Sequence, residues 1–221
     1  MSGACLNRMC FCSVMSEGPL KRFAASEGNI ALDFVNTVSN RLTRPVDKLT
    51  DYLMLVHWAE DLGVLTRDLC ASLAVEGERA PGKAKHALQD AIRLREALYE
   101  VFTAVLEHRG VPQNAMVILN QALSAGADHL RLMEKQRRFR WDWLAAQGAL
   151  HVMLWPVARS AAELLVSGDL DRVRQCASTT CAWLFLDTSR NGRRRWCDMK
   201  TCGNRVKAQR HYERMRGSNS E

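Results

Sequence analysis

The chain has 221 residues, of which 47% are hydrophobic and 25% charged, and its formal net charge is +7. This length and composition indicate a globular protein with a real core, and they exclude a disordered or fibrous chain. No apolar run reaches the roughly 18 residues that a membrane span needs, and the N-terminus lacks the apolar stretch of a secretory signal. We therefore expect a cytoplasmic protein with no membrane partner, in which paired cysteines indicate metal or redox chemistry.

The excess positive charge is concentrated near the C-terminus. Residues 176–216 contain 10 Lys and Arg against 3 Asp and Glu, whereas the rest of the chain contains 21 of each. Such an asymmetry favours a polyanionic partner, and the alternative is a solvated basic tail.

In chain order, residues 1–22 resemble an unstructured leader, with Met15 as an alternative start to Met1. Three early cysteines indicate a second metal site only weakly, because no matching pair follows nearby: Cys5, Cys10 and Cys12. Residues 29–38 (NIALDFVNTV) alternate in the period of a strand, although they would also fit the start of a helix. Asp33 and Asn36 are polar residues within this segment, and they would either line a ligand pocket or cap a neighbouring backbone.

Helices dominate the middle of the chain. One helix begins after Thr50 as its N-cap and ends at Gly63, and a shorter one covers 67–75 with Thr66 as its cap. Residues 76–82 are predicted as a loop. The clearest helix covers 83–108, where apolar residues recur at helical spacing, and another covers 113–124.

Beyond these helices, alternation over 129–143 predicts a β-hairpin. A helix over 145–165 follows, which Pro156 is expected to kink.

Four cysteines then follow the spacing C-x4-C, fifteen residues, C-x4-C: Cys176, Cys181, Cys197 and Cys202. Two short pairs of thiolates suit a tetrahedral zinc ion, although a spacing of two residues is commoner than four. A redox site is less favoured because C-x-x-C is absent. Four thiolates leave no open position for water, so we expect a structural zinc rather than a catalytic one. Between the pairs, WLFLD, an Asn-Gly turn and RRWC predict a hairpin, and a helix follows. These elements suggest a treble-clef-like zinc module.

The stretch LFLDTSRNGRRRWCDMKTCGNR resembles the CGNR zinc finger over residues 176 to about 216. The segments LDFVNT (32–37), WAEDLGVL (58–65) and AIRLREALYEVF (91–102) resemble the ABATE domain that usually precedes this finger, in a family to which stress-induced regulation of transcription is ascribed. The resemblance assigns the four cysteines to zinc and the basic residues of the finger to DNA. We place the nucleic-acid contacts on seven of them: Arg193, Arg194, Arg195, Arg205, Lys207, Arg210 and Arg214.

Some of these residues have a structural alternative. Arg205 and one of Arg194 and Arg195 would instead balance the anionic zinc centre. Trp183, Phe185 and Trp196 are expected to form a small core of the finger rather than to stack on bases.

Together these features predict a mainly α protein with small β elements (α+β). Its predicted parts are a leader (1–22), an ABATE-like domain (23–168), a CGNR-type finger (169–216) and a tail (217–221). The predicted function is a zinc-containing, DNA-binding transcription regulator whose N-terminal domain senses an effector or dimerises. An RNA-binding or ribosome-associated protein and a protein-interaction module are the alternatives. No catalytic motif stands out, so we do not expect an enzyme.

Overall fold

The computed structural model describes Phe23, residues 28–144 and residues 148–217. The predicted leader, its three cysteines and most of the predicted tail lie outside these residues. The described chain is mainly helical with three small antiparallel sheets of two strands each, which confirms the predicted fold class. The helices are α1 (Ile30–Val35), α2 (Tyr52–Asp61), α3 (Arg67–Arg79), α4 (Pro81–Leu106), α5 (Gln113–Ala127), α6 (Leu154–Leu165) and α7 (Asn204–Gly217). The strands are β1 (Val38–Ser39), β2 (Val46–Asp47), β3 (Leu130–Lys135), β4 (Arg138–Trp143), β5 (Val173–Gln175) and β6 (Leu184–Leu186).

Helix α1 lies at the centre of the main core, in contact with α4, α6 and β6. Every residue from Ala31 to Val35 is buried, so this part of the helix has no exposed face. The strand predicted here is wrong, because a short helix that is buried all round shows no 3.6-residue period in its sequence. Its start is fixed by Asn29, whose side chain accepts a hydrogen bond from the backbone amide of Leu32.

The long helix α4 carries its predicted apolar stripe into the core, since Ala84, Ala87, Leu94 and Leu98 are all buried. The predicted loop over 76–82 is wrong, because α3 continues to Arg79 and α4 begins at Pro81. Proline suits the first turn of a helix, where its missing N–H has no partner to lose.

Two further details of the helices differ from the sequence prediction. The N-cap of α2 is Asp51, whose carboxylate accepts from the amide of Met54, rather than Thr50. Helix α6 begins at Leu154, so Pro156 lies in its first turn and the predicted kink is wrong.

The hairpin of β3 and β4 is confirmed, with Leu130 opposite Trp143 and Leu132 opposite Trp141. The hairpin predicted inside the finger is wrong. Strand β6 pairs instead with β5, which precedes the first cysteine, and Val173 lies opposite Leu186.

This pairing brings the finger into the main core. Val173 and Leu184 are fully buried and belong to the same apolar cluster as α1, α4 and α6. The part of the chain that contains the cysteines therefore shares its core with the helices that precede it.

Candidate metal centre and nucleic-acid interface

The four cysteines converge on one point, because all four Sγ atoms lie within 4.8 Å of one another and all four residues are buried. The Sγ atoms of Cys181 and Cys197 are 3.7 Å apart, as are those of Cys197 and Cys202. Four sulfurs at about 2.3 Å from a tetrahedral zinc ion would be about 3.8 Å from each other. The thiols are free rather than joined as disulfides. The donor set and its spacing fit one structural zinc ion.

Local backbone contacts hold each cysteine pair in place. In the first pair, the amide of Cys176 donates to the carbonyl of Trp183, and the amide of Ala177 donates to the carbonyl of Arg195. In the second pair, Asp198 caps a single wide helical turn, Met199–Gly203, through its bond to the amide of Thr201. Helix α7 follows this turn directly, so the metal site fixes the position at which α7 begins.

The crowding of the thiols separates their pKa values. Hydrogen bonds from the thiols of Cys181 and Cys197 hold the pKa of Cys176 well below its usual range, while the bond it shares with Cys176 raises the pKa of Cys197. Where no metal is bound, these hydrogen bonds favour the thiolate of Cys176 over that of Cys197. A zinc ion would hold all four as thiolates, so its binding releases protons.

Asp187 organises the loop between the two cysteine pairs. This fully buried carboxylate accepts hydrogen bonds from the side chain and amide of Ser189 and from the amide of Arg194. Burial alone would raise the pKa of Asp187, but these hydrogen bonds outweigh it and lower the pKa. The RRWC segment does not return as a strand paired with β6. The amide of Arg194 donates instead to the carboxylate of Asp187, and the carbonyl of Arg195 accepts from the amide of Ala177.

Arg194 also has a structural role through its side chain. Its guanidinium stacks 4.7 Å from the ring centre of Phe185 and donates to the carbonyls of Trp196 and Cys197. These contacts tie the loop to the second cysteine pair and place a positive charge beside the anionic metal centre. Phe185 is fully buried, and Trp183 and Trp196 pack against the cysteines, as expected of a small finger core.

The other predicted nucleic-acid residues are exposed. Arg193 follows the turn that Ser189 and Gly192 close, and the guanidinium of Arg195 lies 5.6 Å from the ring centre of Trp196. On α7, the three residues Lys207, Arg210 and Arg214 are exposed and share one face by their spacing. Arg205 is the second residue of α7, and its guanidinium donates to the hydroxyl of Thr180 between the first two cysteines.

Asn36, predicted as a pocket or capping residue, joins the finger to the rest of the chain. Its amide nitrogen donates to the carbonyl of Leu184 at 2.7 Å, and its amide oxygen accepts from the amide of Leu184 at 3.0 Å. In the β5–β6 ladder, Cys176 donates to Trp183, so the adjacent Leu184 belongs to a pair that does not bond across the ladder. The backbone N–H and C=O of Leu184 therefore point away from β5, and the side chain of Asn36 forms a hydrogen bond with each of them.

The predicted ligand pocket at Asp33 and Asn36 is not of ligand size. The cavity that these residues line with Lys48, Trp58 and Trp183 has a volume of about 20 Å³ between the described residues. Small-molecule sites are usually of the order of several hundred Å³, and a space this small holds about one water.

Other contacts around Asn36 extend this junction. The indole of Trp183 donates to the carbonyl of Val38 at 2.8 Å, and the side chain of Gln175 donates to the hydroxyl of Tyr99 at 2.9 Å. Sequence reasoning missed all of these contacts, since nothing in the local pattern links residues that lie 76 or more positions apart.

An ion-pair network around the buried Arg95 lies beside the junction and was also missed. Arg95 is 2% exposed, and its guanidinium donates to both carboxylate oxygens of Asp47 at 2.7 Å and to Glu96 at 2.8 Å. Glu96 also accepts from Arg41, whose guanidinium lies 4.2 Å from the ring centre of Tyr99. The network therefore connects the β1–β2 loop with α4. The sequence signal for this network was Arg95 itself, a charged residue within the apolar stripe of α4.

Comparison with known proteins assigns both parts of the chain. Residues 28–168 match the ABATE family, which is described as "Putative stress-induced transcription regulator", and residues 172–215 match the CGNR zinc finger. No curated protein matches the chain. Among the described helices, none combines the length and the apolar character needed to cross a membrane.

Proposed function

The chain belongs to the ABATE family and carries a CGNR zinc finger, and from this premise we propose that it regulates transcription by binding DNA through the finger. One observation carries the proposal. Helix α7 starts at a metal site, projects an exposed basic surface, and within residues 204–216 has only Val206 partly buried. A helix without an apolar face gains little by packing on its own protein, so its surface is available to a partner.

The charge of this surface suits a nucleic acid. Lys207, Arg210 and Arg214 span about 10 Å along the helix axis, at a rise of about 1.5 Å per residue. Positive side chains at such intervals can follow a phosphate backbone and release its counterions. In the same surface depression, Glu213 is the acidic residue beside these three.

In the proposal, the loop around Arg193, between the two cysteine pairs, has a different role from α7. Arg193 is exposed directly after a turn that ends at Gly192, whose φ is +59°. A protruding turn can enter a groove, where an arginine binds guanine through two hydrogen bonds. Arg194 is left out of the interface because its side chain is used within the finger.

The N-terminal domain supplies the second half of the proposal, as a module that senses an effector or dimerises. With zinc held by four thiolates, the metal has no position for a substrate or a water molecule. We therefore propose a binding protein rather than an enzyme.

The test compares two triple variants of the full chain in fluorescence anisotropy with labelled DNA and RNA duplexes and single strands. The first is Lys207→Ala/Arg210→Ala/Arg214→Ala. The control, Lys83→Ala/Lys85→Ala/Arg93→Ala, removes the same charge from exposed positions on α4.

The α7 variant should keep its zinc, lose most of its affinity, and show a salt dependence that is shallower by about one unit per contact removed. The control should bind like the wild type. Full affinity in the α7 variant with its zinc retained would refute the proposed surface. Preferential binding to RNA would instead favour the RNA-binding alternative.

A further inference from the structure

The loop between β1 and β2 is held firmly at its base. Asn40 has a φ of +53°, and its carbonyl accepts a hydrogen bond from the amide of Thr43 at 3.0 Å, which closes a turn. The guanidinium of Arg41 donates to the carboxylate of Glu96 at 2.7 Å and to the carbonyl of Val35 at 3.2 Å. Contacts with α1 and α4 therefore fix the conformation of this loop.

The tip of the loop is exposed and carries a cation that the fold does not use. Leu42 is 60% exposed and Val46 54%, and Arg44 lies exposed between them. Among the described residues, Arg44 has no hydrogen bond and no ion pair. The loop contains no Asp or Glu, and the carboxylate of Asp47 at its end is bound by Arg95. The tip therefore presents a positive charge that no neighbouring carboxylate neutralises.

The same loop touches the zinc finger. The amide of Leu42 donates to the carbonyl of Thr180 at 3.4 Å, and the hydroxyl of Thr180 accepts from the guanidinium of Arg205 on α7 at 3.1 Å. Arg44 is two residues from Leu42, so their Cα atoms are within about 7 Å of each other. Thr180 thus joins the loop to the start of the helix on which the proposed nucleic-acid surface lies.

The loop lies on the side of α7 that Lys207, Arg210 and Arg214 leave uncovered. These three residues, the basic row, lie about 140–200° around the helix from Arg205, at 3.6 residues per turn. A helix about 10–12 Å in diameter fits the major groove of DNA, which is about 12 Å wide and is bordered by a phosphate backbone on each side. The basic row can face one backbone, while Arg205 and the loop beside it face the other.

We propose that the β1–β2 loop is a second contact with DNA, in which Arg44 binds the phosphate backbone that the basic row does not reach. This inference rests on the DNA binding proposed above, and it adds a residue of the N-terminal domain to that interface. Because its contacts with α1 and α4 already order the loop, little conformational entropy is lost when it binds.

Fluorescence anisotropy of the full zinc-loaded chain with a short labelled DNA duplex of mixed sequence tests the proposal. Arg44→Ala should flatten the dependence of log affinity on log salt by about 0.9 unit, the value for one phosphate contact. If variant and wild type bind alike near 1 M salt, this slope corresponds to about an eightfold loss of affinity at 0.1 M. Arg44→Lys should keep most of the affinity, because a phosphate contact requires the positive charge rather than the shape of the guanidinium.

The matched control is Arg79→Ala, which removes the same charge from another exposed arginine of the same domain. Arg79 ends α3, next to the start of α4 at Pro81, and Pro81 is about 21 Å along the helix axis from Arg95 beside the junction. The control should bind like the wild type. Since Arg44 has no partner among the described residues, its variants should also keep the wild-type melting temperature and zinc content.

A salt dependence and an affinity equal to those of the wild type in Arg44→Ala would overturn the proposal and leave the DNA-binding function in place. An equal loss of affinity in Arg79→Ala would also overturn it, since the effect would then come from the net charge of the chain. A wild type that does not bind the duplex would refute the DNA-binding proposal itself, and this inference with it.

Discussion

Replacing Asn36 with alanine tests the junction between the finger and the helical core. The amide of Asn36 makes two buried hydrogen bonds, at 2.7 and 3.0 Å, to the backbone of Leu184, which is itself fully buried. The substitution would leave one buried N–H and one buried C=O without a partner. Each such group costs about 1–3 kcal/mol, so we expect a loss of about 2–6 kcal/mol in the free energy of unfolding.

Urea unfolding followed by circular dichroism measures this loss in the zinc-loaded chain. For a chain of this size, each kcal/mol corresponds to about 2–4 °C in the melting temperature, so a fall of roughly 4–24 °C is expected. Asn120→Ala is the control, since Asn120 is exposed on α5 and its replacement should change stability by less than about 0.5 kcal/mol. A loss below about 0.5 kcal/mol for Asn36→Ala would refute the role assigned to these hydrogen bonds.

Three further predictions concern the finger and the ion-pair network. Cys197→Ser should lose the single zinc ion, and metal analysis showing equal zinc in variant and wild type would contradict the site. Arg194→Ala should weaken zinc retention against a competing chelator because it removes the contacts to the second cysteine pair, whereas Arg193→Ala should keep its zinc and lose about 1–3 kcal/mol of affinity on a preferred site alone. Arg95→Met should lower stability by about 2–4 kcal/mol at pH 7, because it leaves Asp47 without its arginine and removes one of the two arginines that bind Glu96. In the folded chain, Arg95 lowers the pKa of the carboxyl groups of Asp47 and Glu96. Its contribution to stability is therefore fully present at a pH above the unfolded-state pKa of these groups, and it is lost as the pH falls through their folded-state pKa. The stability difference between Arg95→Met and the wild type should therefore shrink on acidification, and a constant difference would contradict this account.

The sequence predicts those parts of the fold in which a local pattern determines the structure. The stripe of α4 is visible because the helix has one buried and one exposed side, and the alternation of β3 and β4 is visible because rings and arginines occupy opposite faces of the hairpin. Helix α1 could not be recognised by period because it is buried on all sides. Asn29, the N-cap of α1, is a residue type that often precedes a helix, but the alternation of apolar residues after it favoured the prediction of a strand.

The candidate site, like the fold, could be predicted only where the local sequence pattern determines the structure. The spacing of the cysteines predicts their cluster because short loops bring each pair together. The strand partner of β6 could not be predicted, since both β5 and the RRWC segment were short and equally close in sequence. The buried carboxylate of Asp187 excludes the RRWC segment as the partner of β6, because it accepts the hydrogen bond from the backbone amide of Arg194.

The shared core of the finger and the helical domain has a thermodynamic consequence. Since Asn36 and Leu184 hold each other in place, the free energy of zinc binding and that of folding of the N-terminal half are coupled. Coupling of this kind is reciprocal: an effector that displaces α1 must change the affinity for zinc by the same factor by which zinc changes the affinity for the effector. If the N-terminal domain binds an effector, as proposed above, the metal would act as an allosteric ligand as well as a structural one, and the zinc concentration would change the affinity for that effector.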